Sequence, residues 1–182
     1  MLDLGCGHGL DALHFSSLSH HVLAVDHSCK MLRRAKGNAP RALLLNADLR
    51  RLGGALVAGS LDGVWAAGSV GELPRREAGA VLRDLRDKVR AGGVLYLSLP
   101  GAAAAPGGEA FAADERYAGD GRGGAPLCDS RRRHEARYTA GEATALVAAG
   151  GWEVLRASGE RATPSLVFVF ATRRPEGEPA TA

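Results

Sequence analysis

The tightest constraint on this chain lies in its first nine residues, Met1-Leu2-Asp3-Leu4-Gly5-Cys6-Gly7-His8-Gly9, taken together with Asp26. Leu2 and Leu4 read as the end of a buried strand, and three glycines at alternate positions then turn the backbone sharply into a helix. With no Cβ on that side of the turn, a ligand can lie directly against the main chain. The amides opening the following helix point to the same place and suit a carboxylate or phosphate. Val22-Leu23-Ala24-Val25 makes a second buried strand, closed by Asp26. An acid about 20 positions beyond the first glycine is where nucleotide-binding α/β folds hold a ribose diol.

The remaining pattern extends that sheet. Leu10–Leu18 predicts a short helix with Leu10, Leu13 and Leu18 facing inward. Ser28 caps a second helix whose dry face is Met31, Leu32 and Ala35, and Ala42–Leu45 follows as a third buried strand. A fourth strand runs through Leu61–Gly68. Pro74 then opens a helix in which Ala78, Val81, Leu82, Leu85 and Val89 share one face, stopped by Gly92-Gly93. Val94–Leu99 is apolar almost throughout, as a central strand should be.

From Pro100 to about Arg137 the pattern dissolves into Gly, Ala, Pro and charge, a long connection of the kind that carries function or mobility. Thr139-Ala140-Gly141-Glu142 is a capping box for a helix through Ala149. Trp152–Ala157 and Leu166–Ala171 are close enough in sequence to form an antiparallel pair. The expectation is one domain over 1–172, followed by a disordered tail over 173–182. Its fold class is α/β: a doubly wound, mostly parallel seven-stranded sheet with an antiparallel C-terminal strand pair.

Composition narrows the partners. A net charge of +3, mostly arginine spread along helix faces, is a poor footprint for nucleic acid. Cys6, Cys29 and Cys128 form no CxxC pair, which points to reduced thiols and a cytoplasmic location. No apolar run reaches membrane-spanning length, and no signal segment precedes the fold. His20, His21 and His27 lack carboxylate or Cys partners at ligand spacing, so no metal is expected. Arg131-Arg132-Arg133-His134 reads as a solvated run, with docking of an acidic substrate as its second reading.

The glycine spacing chooses among nucleoside ligands. Dinucleotide binders favour G-x-G-x-x-G, whereas here Asp3 stands ahead of Gly5, Gly7 and Gly9. That acid repels phosphate and suits an ammonium. A ligand with an amino-acid end, a ribose and an adenine would use all three positions, and S-adenosylmethionine is such a ligand.

On these residues the chain resembles the class I, Rossmann-like S-adenosylmethionine-dependent methyltransferases, especially small bacterial-type members that modify small molecules. The resemblance runs from Met1 to about Arg173. It includes Leu2–Gly9, Ala24-Val25-Asp26-His27-Ser28 with Met31-Leu32, and Asn46-Ala47-Asp48-Leu49. It continues through Leu61-Asp62-Gly63-Val64-Trp65-Ala66, Leu82–Leu85 before Gly92-Gly93, and Tyr138-Thr139.

The resemblance implies that Gly5, Cys6, Gly7 and Gly9 admit the methionine moiety and that Asp3 orients its amine. Asp26 takes the ribose hydroxyls, and Asp48 accepts from the adenine amino group. Ala47 and Leu49 supply backbone and apolar contacts, His27 and Met31 flank the ring, and Ala66 belongs to the loop closing the site. Methyl transfer then asks mainly for alignment of the nucleophile and exclusion of water. Candidate catalytic residues are Glu72, Glu109, His134 and Tyr138. Glu72 stands where such proteins often carry a His before the Pro.

Family members also carry helices and the start of the first strand ahead of the glycine motif. A chain opening within that strand predicts an uncovered apolar sheet face, and with it self-association or a partner subunit. Besides an enzyme acting on a small-molecule methyl acceptor, the competing readings are a shortened, non-catalytic partner or regulatory subunit and a nicotinamide-dependent oxidoreductase.

Overall fold

The computed structural model describes residues 1–102, 108–113, 132–159 and 166–175. The first half alternates strand and helix: β1 (Leu2–Leu4), α1 (Leu10–Ser17), β2 (Leu23–Asp26), α2 (Cys29–Asn38) and β3 (Leu43–Asn46). A 3-10 segment over Leu49–Gly54 leads to β4 (Leu61–Ala67), and a short 3-10 turn over Val70–Glu72 precedes α3 (Arg75–Lys88) and β5 (Val89–Pro100). A hairpin follows, β6 (Glu109–Ala113) with β7 (Arg132–Ala136), then α4 (Ala140–Ala149), β8 (Glu153–Gly159) and β9 (Leu166–Thr172).

Seven strands form one sheet in the order β3-β2-β1-β4-β5-β9-β8. β1 through β5 pair in parallel, while β9 runs antiparallel to both β5 and β8. The expected α/β class and the antiparallel C-terminal pair are therefore present. The order reverses at β1, so the carboxyl ends of β1, β2 and β4 open onto a topological switch point, where ligands bind in such sheets.

Side-chain alternation sorts the two faces. Leu2, Leu4, Val64, Ala66, Leu95, Leu97, Leu99, Val167 and Val169 join Val81, Leu82 and Leu85 of α3 and Val147 of α4 in the larger core. Full burial of one such side chain contributes about 1.5–3 kcal/mol. The Trp152 indole N–H donates to the Leu82 carbonyl at 2.9 Å, tying the end of α4 to α3. Ser28 caps α2 through the Met31 N–H, and the Thr139–Glu142 capping box on α4 is fully formed.

On the opposite face α1 and α2 cover β1 to β3, and there several expectations change. Leu10, Leu13 and Leu18 do not face inward; they are 64%, 43% and 56% exposed, and Ala12 and Ser16 take the inner positions. The cause is close approach. A Cβ on Gly9, at the head of α1, would lie 2.9 Å from the Ala35 Cβ, so only small side chains fit between α1 and its neighbours. β3 is an edge strand rather than a buried one, with Leu43 73% exposed.

Gly92-Gly93 do not end α3. The helix stops at Lys88, Val89 already belongs to β5, and the glycines lie inside that strand beside an irregularity at Leu61/Gly63. The connection after β5 contains the β6–β7 hairpin, which the sequence pattern hid. Residues 173 and 174 are tied to the sheet: the Arg173 N–H donates to the Gly93 carbonyl at 2.9 Å, and Arg174 pairs with Glu153 at 2.6 Å.

On the α1/α2 side of the sheet, α1 reaches Trp65 of β4 through Phe15 and Asp11, and among the described residues no helix lies over β5 and β9. Trp65 stacks on Tyr96 with ring centroids 3.8 Å apart, Phe15 meets Trp65 edge-on, and Tyr96 touches Phe168 and Phe170. Val94 and Phe170, at its margin, are 54% and 45% exposed. No described helix is long and apolar enough to cross a membrane.

Candidate functional site

The glycine turn is built by three left-handed residues, Gly5, Gly7 and Gly9, at φ values of +75°, +53° and +79°. Their surroundings differ. A Cβ on Gly5 would fall 2.4 Å from the Ser69 Cβ, whereas one on Gly7 would meet nothing within 4 Å. Gly5 is thus required by packing, and Gly7 leaves an open cradle. Both the Gly5 and Cys6 N–H groups donate to the Val25 carbonyl, at 2.8 and 2.9 Å, which fastens the turn to β2. From α2, the Asn38 amide donates to the His8 carbonyl at 2.9 Å.

Asp26 completes the turn from the end of β2. Its Oδ2 accepts from the Gly7 N–H at 2.9 Å and its Oδ1 from the Ser28 N–H at 2.7 Å. The residue is buried, and each oxygen keeps a further lone pair for a hydroxyl. Asn46 braces the same corner, donating to the carbonyls of Asp26 and His27. The His27 side chain beyond it is 75% exposed, while Met31 is buried on α2.

Asp3 lies on β1, 2% exposed, and its Oδ2 has no partner among the described residues. Burial, followed by the neighbouring Asp11 carboxylate, raises its carboxyl to about 7, against a hydrogen bond from the Ala12 N–H. An unsatisfied buried carboxylate oxygen is costly unless a donor reaches it. A cationic amine is the partner that satisfies it best. The Cys6 thiol beside it is pushed up to about 12, first by burial and then by Asp3 and Asp26. Cys6 therefore stays protonated and packs, as a nucleophilic thiolate would not.

Ala47, Asp48 and Leu49 follow β3 at the same end of the sheet, all half-buried. Asp48 caps the 3-10 segment through the Arg50 N–H, and its carboxylate is gripped side-on by the Arg50 guanidinium. Arg50 holds that carboxyl at about 2. Ala66 is fully buried in the α3-side core, so neither its side chain nor its backbone is open to solvent.

The catalytic candidates sit beyond β4 and β5. Glu72 ends the Val70–Glu72 turn, half-buried. His134 lies half-buried on β7, opposite Phe111 of β6. Glu109 pairs with Ala136 in the same hairpin, and its side chain lies outside the described residues, as do Cys128 and Arg131. Tyr138 is 2% exposed beneath the Arg75 guanidinium, 4.4 Å from its ring, and its backbone bridges to Gly101. That burial makes Tyr138 part of the wall. Among the described residues no three His, Cys, Asp or Glu side chains gather as a metal site.

Two surface hollows, of about 240 and 250 Å³, lie beside Asp84, Asp87 and Lys88 and beside Lys36 and Leu43. Both are at the amino ends of strands. The switch point and the unpartnered Asp3 oxygen lie at the other end, where ligands bind in such sheets.

Comparison with known proteins now decides the family. Residues 1–93, just over half the chain, match the methyltransferase-domain family. The chain belongs to that family. It is a class I S-adenosylmethionine-dependent methyltransferase, and its cofactor is S-adenosylmethionine.

A solved S-adenosylmethionine-dependent methyltransferase from Methanosarcina mazei superposes with a TM-score of 0.75 at 16% identity, covering 96% of this chain and 92% of its own. The Burkholderia thailandensis 1,6-didemethyltoxoflavin-N1-methyltransferase, solved with 1,6-didemethyltoxoflavin and S-adenosylhomocysteine, gives 0.72 at 18% identity, covering 96% and 70%. The cyclase SpnF gives 0.69 at 15% identity, covering 95% and 74%. At these identities the likeness establishes the fold alone. No curated protein matches the chain.

For this methyltransferase the residues fit the cofactor's chemistry. The orphaned Asp3 oxygen suits an ammonium, the Gly7 cradle admits a chain against the backbone, and Asp26 retains acceptor capacity for a diol. Several contributors carried no sequence signal. Ser69 walls Gly5, Asn38 clamps His8 and Arg50 grips Asp48, and each pairing joins residues far apart in sequence or on an unreadable face.

Proposed function

We propose that this methyltransferase transfers a methyl group to a small-molecule nucleophile, with Asp3, Gly5, Gly7, Gly9, Asp26 and Asp48 holding the cofactor. The observation that carries the cofactor placement is the unpartnered, buried Asp3 Oδ2 beside an open Gly7. When bound, the cofactor supplies an already activated methyl group on a positively charged sulfur. The chain's own residues bind and orient. Asp3 neutralises the amine, Asp26 accepts from the ribose hydroxyls, and Asp48, flanked by Ala47 and Leu49, accepts from the adenine amine.

A small acceptor fits the wall beyond β4 and β5. A Cβ on Gly71 would lie 2.4 Å from the Pro100 Cδ and 3.7 Å from the Ala136 carbonyl oxygen, so the Val70–Glu72 turn, the end of β5 and the end of β7 close tightly on one another. Glu72 at the end of that turn takes the proton of the acceptor or pairs with its amine. The Burkholderia enzyme named above is a 1,6-didemethyltoxoflavin-N1-methyltransferase solved with 1,6-didemethyltoxoflavin bound, which agrees with this reading.

The test is transfer of labelled methyl to a small-molecule extract, to protein and to nucleic acid in parallel. Label in the low-mass fraction supports the proposal, and label only in macromolecules overturns it. The aromatic strip over β4, β5 and β9 is the surface through which we expect self-association or a partner subunit. Free thiols at Cys6 and Cys29 fit the cytoplasm, and alkylation at lysis checks this, since a protected thiol pair would contradict it.

A further inference from the structure

The adenine-reading acid is already engaged. Asp48 Oδ1 accepts from the Arg50 backbone N–H at 3.0 Å and from its Nε at 2.9 Å, while Oδ2 accepts from Nε at 3.0 Å and from Nη2 at 2.5 Å. Two carboxylate oxygens offer about four lone-pair positions, so these contacts fill the acceptor capacity of the group. An exocyclic amine and a guanidinium are both donors. They compete for the same oxygens.

A second acceptor waits nearby. Arg50 Nη1 is 3.4 Å from Glu77 Oε2 on α3, so the guanidinium is within reach of both acids at once. Neither arm is deeply buried: the Arg50 side chain is 53% exposed, Asp48 34% and Glu77 29%. An exposed ion pair of this kind is weak enough for a ligand to displace. The backbone N–H of Arg50 holds Asp48 in place whether or not the side chain leaves.

We propose that Arg50 competes with the adenine amino group for Asp48, and that Glu77 receives the guanidinium when the cofactor enters. This rests on the placement of adenine at Asp48 argued above. Arg50 and Glu77 thereby set cofactor affinity and the strictness of adenine recognition without touching the cofactor. With its guanidinium left at Asp48, Arg50 also lets the site tolerate a base carrying a 6-oxo group, because it offers donors where Asp48 alone offers only acceptors.

The experiment is calorimetric titration of the full chain with S-adenosylhomocysteine and with S-inosylhomocysteine, which carries oxygen in place of the 6-amino group. Arg50→Met should tighten S-adenosylhomocysteine about two- to five-fold, the range set by an exposed ion pair, and should weaken the inosine analogue. Glu77→Gln should loosen S-adenosylhomocysteine by a similar factor, and the double variant should bind as Arg50→Met does. Thermal melts confirm that each variant is folded.

Weaker or unchanged S-adenosylhomocysteine binding by folded Arg50→Met overturns the competition, as does an unaltered preference between the two ligands. Asp48→Asn separates this from the underlying reading. Loss of adenine preference in that variant upholds Asp48 as the reader, and unchanged preference overturns the placement of adenine itself.

Discussion

The backbone N–H of Gly7 donates to Asp26 Oδ2 across 2.9 Å, joining the open glycine of the turn to the acid at the end of β2. Asp26 is therefore a strut of the glycine turn as well as the group proposed to take the ribose. Replacing it by Ala removes the acceptor of both Gly7 and Ser28, at a cost of about 1–3 kcal/mol for each donor left buried and unpaired. Asp26→Ala should abolish cofactor binding and lower the melting temperature together. A melting curve identical to the parent's would contradict the strut.

The two glycines ahead of Asp26 should separate folding from binding. Gly5→Ala drives a Cβ to 2.4 Å from Ser69 and should destabilise the whole domain. Gly7→Ala meets no neighbour, so its penalty is the left-handed backbone, about 1–2 kcal/mol. We expect Gly7→Ala to fold and to lose at least ten-fold in cofactor affinity. Paired melts and titrations check this, and Ser69→Gly should recover part of the stability lost in Gly5→Ala.

Asp3 gives the unliganded protein a pH signature. Its folded-state carboxyl titrates near 7 rather than 3.8, so the folded state holds the proton more tightly than the unfolded state does. For an acid raised in this way stability is greatest at low pH and falls as pH climbs through the window from about 4 to about 7, other groups aside. The loss is on the order of a few kcal/mol. Asp3→Asn should stabilise the unliganded chain at pH 8 much more than at pH 4.5, yet weaken cofactor binding. Equal stabilisation at both pH values would refute the assignment of the shift to Asp3.

The exposed aromatic strip makes a prediction about solution behaviour. Phe170→Gln with Val94→Thr removes apolar surface that is 45% and 54% exposed at these two positions, leaving the large core untouched. Sedimentation of the parent should show mass rising with concentration, and the double variant should sediment closer to a monomer. A parent that stays monomeric at every concentration would remove the case for association there.

Much of this was legible in the chain because two signals are local. Alternating glycines followed by an acid specify a strand, a turn and a second strand within 26 residues. The Thr139–Glu142 box and the Ser28 cap likewise need only a few neighbouring residues. Most of what was hidden depends on partners distant in sequence. Leu10, Leu13 and Leu18 have helical spacing, but Ala35 approaches so closely that Ala12 and Ser16 face inward instead. Leu43 looks like core until the strand order makes β3 an edge. Gly92-Gly93 look like a stop until Arg173 pairs with Gly93 and extends the ladder. Asp48 was readable as an acid following β3, and its engagement by Arg50, two residues on, was not.

The order of the sheet divides labour along the chain. Every residue assigned to the cofactor by position, except Ala66, lies between Met1 and Leu49, on β1 and β2, in the segments that follow β1, β2 and β3, or on α2. The proposed acceptor wall comes later, from the turn after β4, the end of β5 and the β6–β7 hairpin, which hydrogen-bonds in a sheet of its own. The hairpin is anchored at one end, where Ala136 joins the larger core, and on the proposed reading exchange of the rest of it would recast which molecule is methylated while the donor half kept its grip. New specificities can then arise by grafting at one locus, with the nucleoside machinery inherited intact.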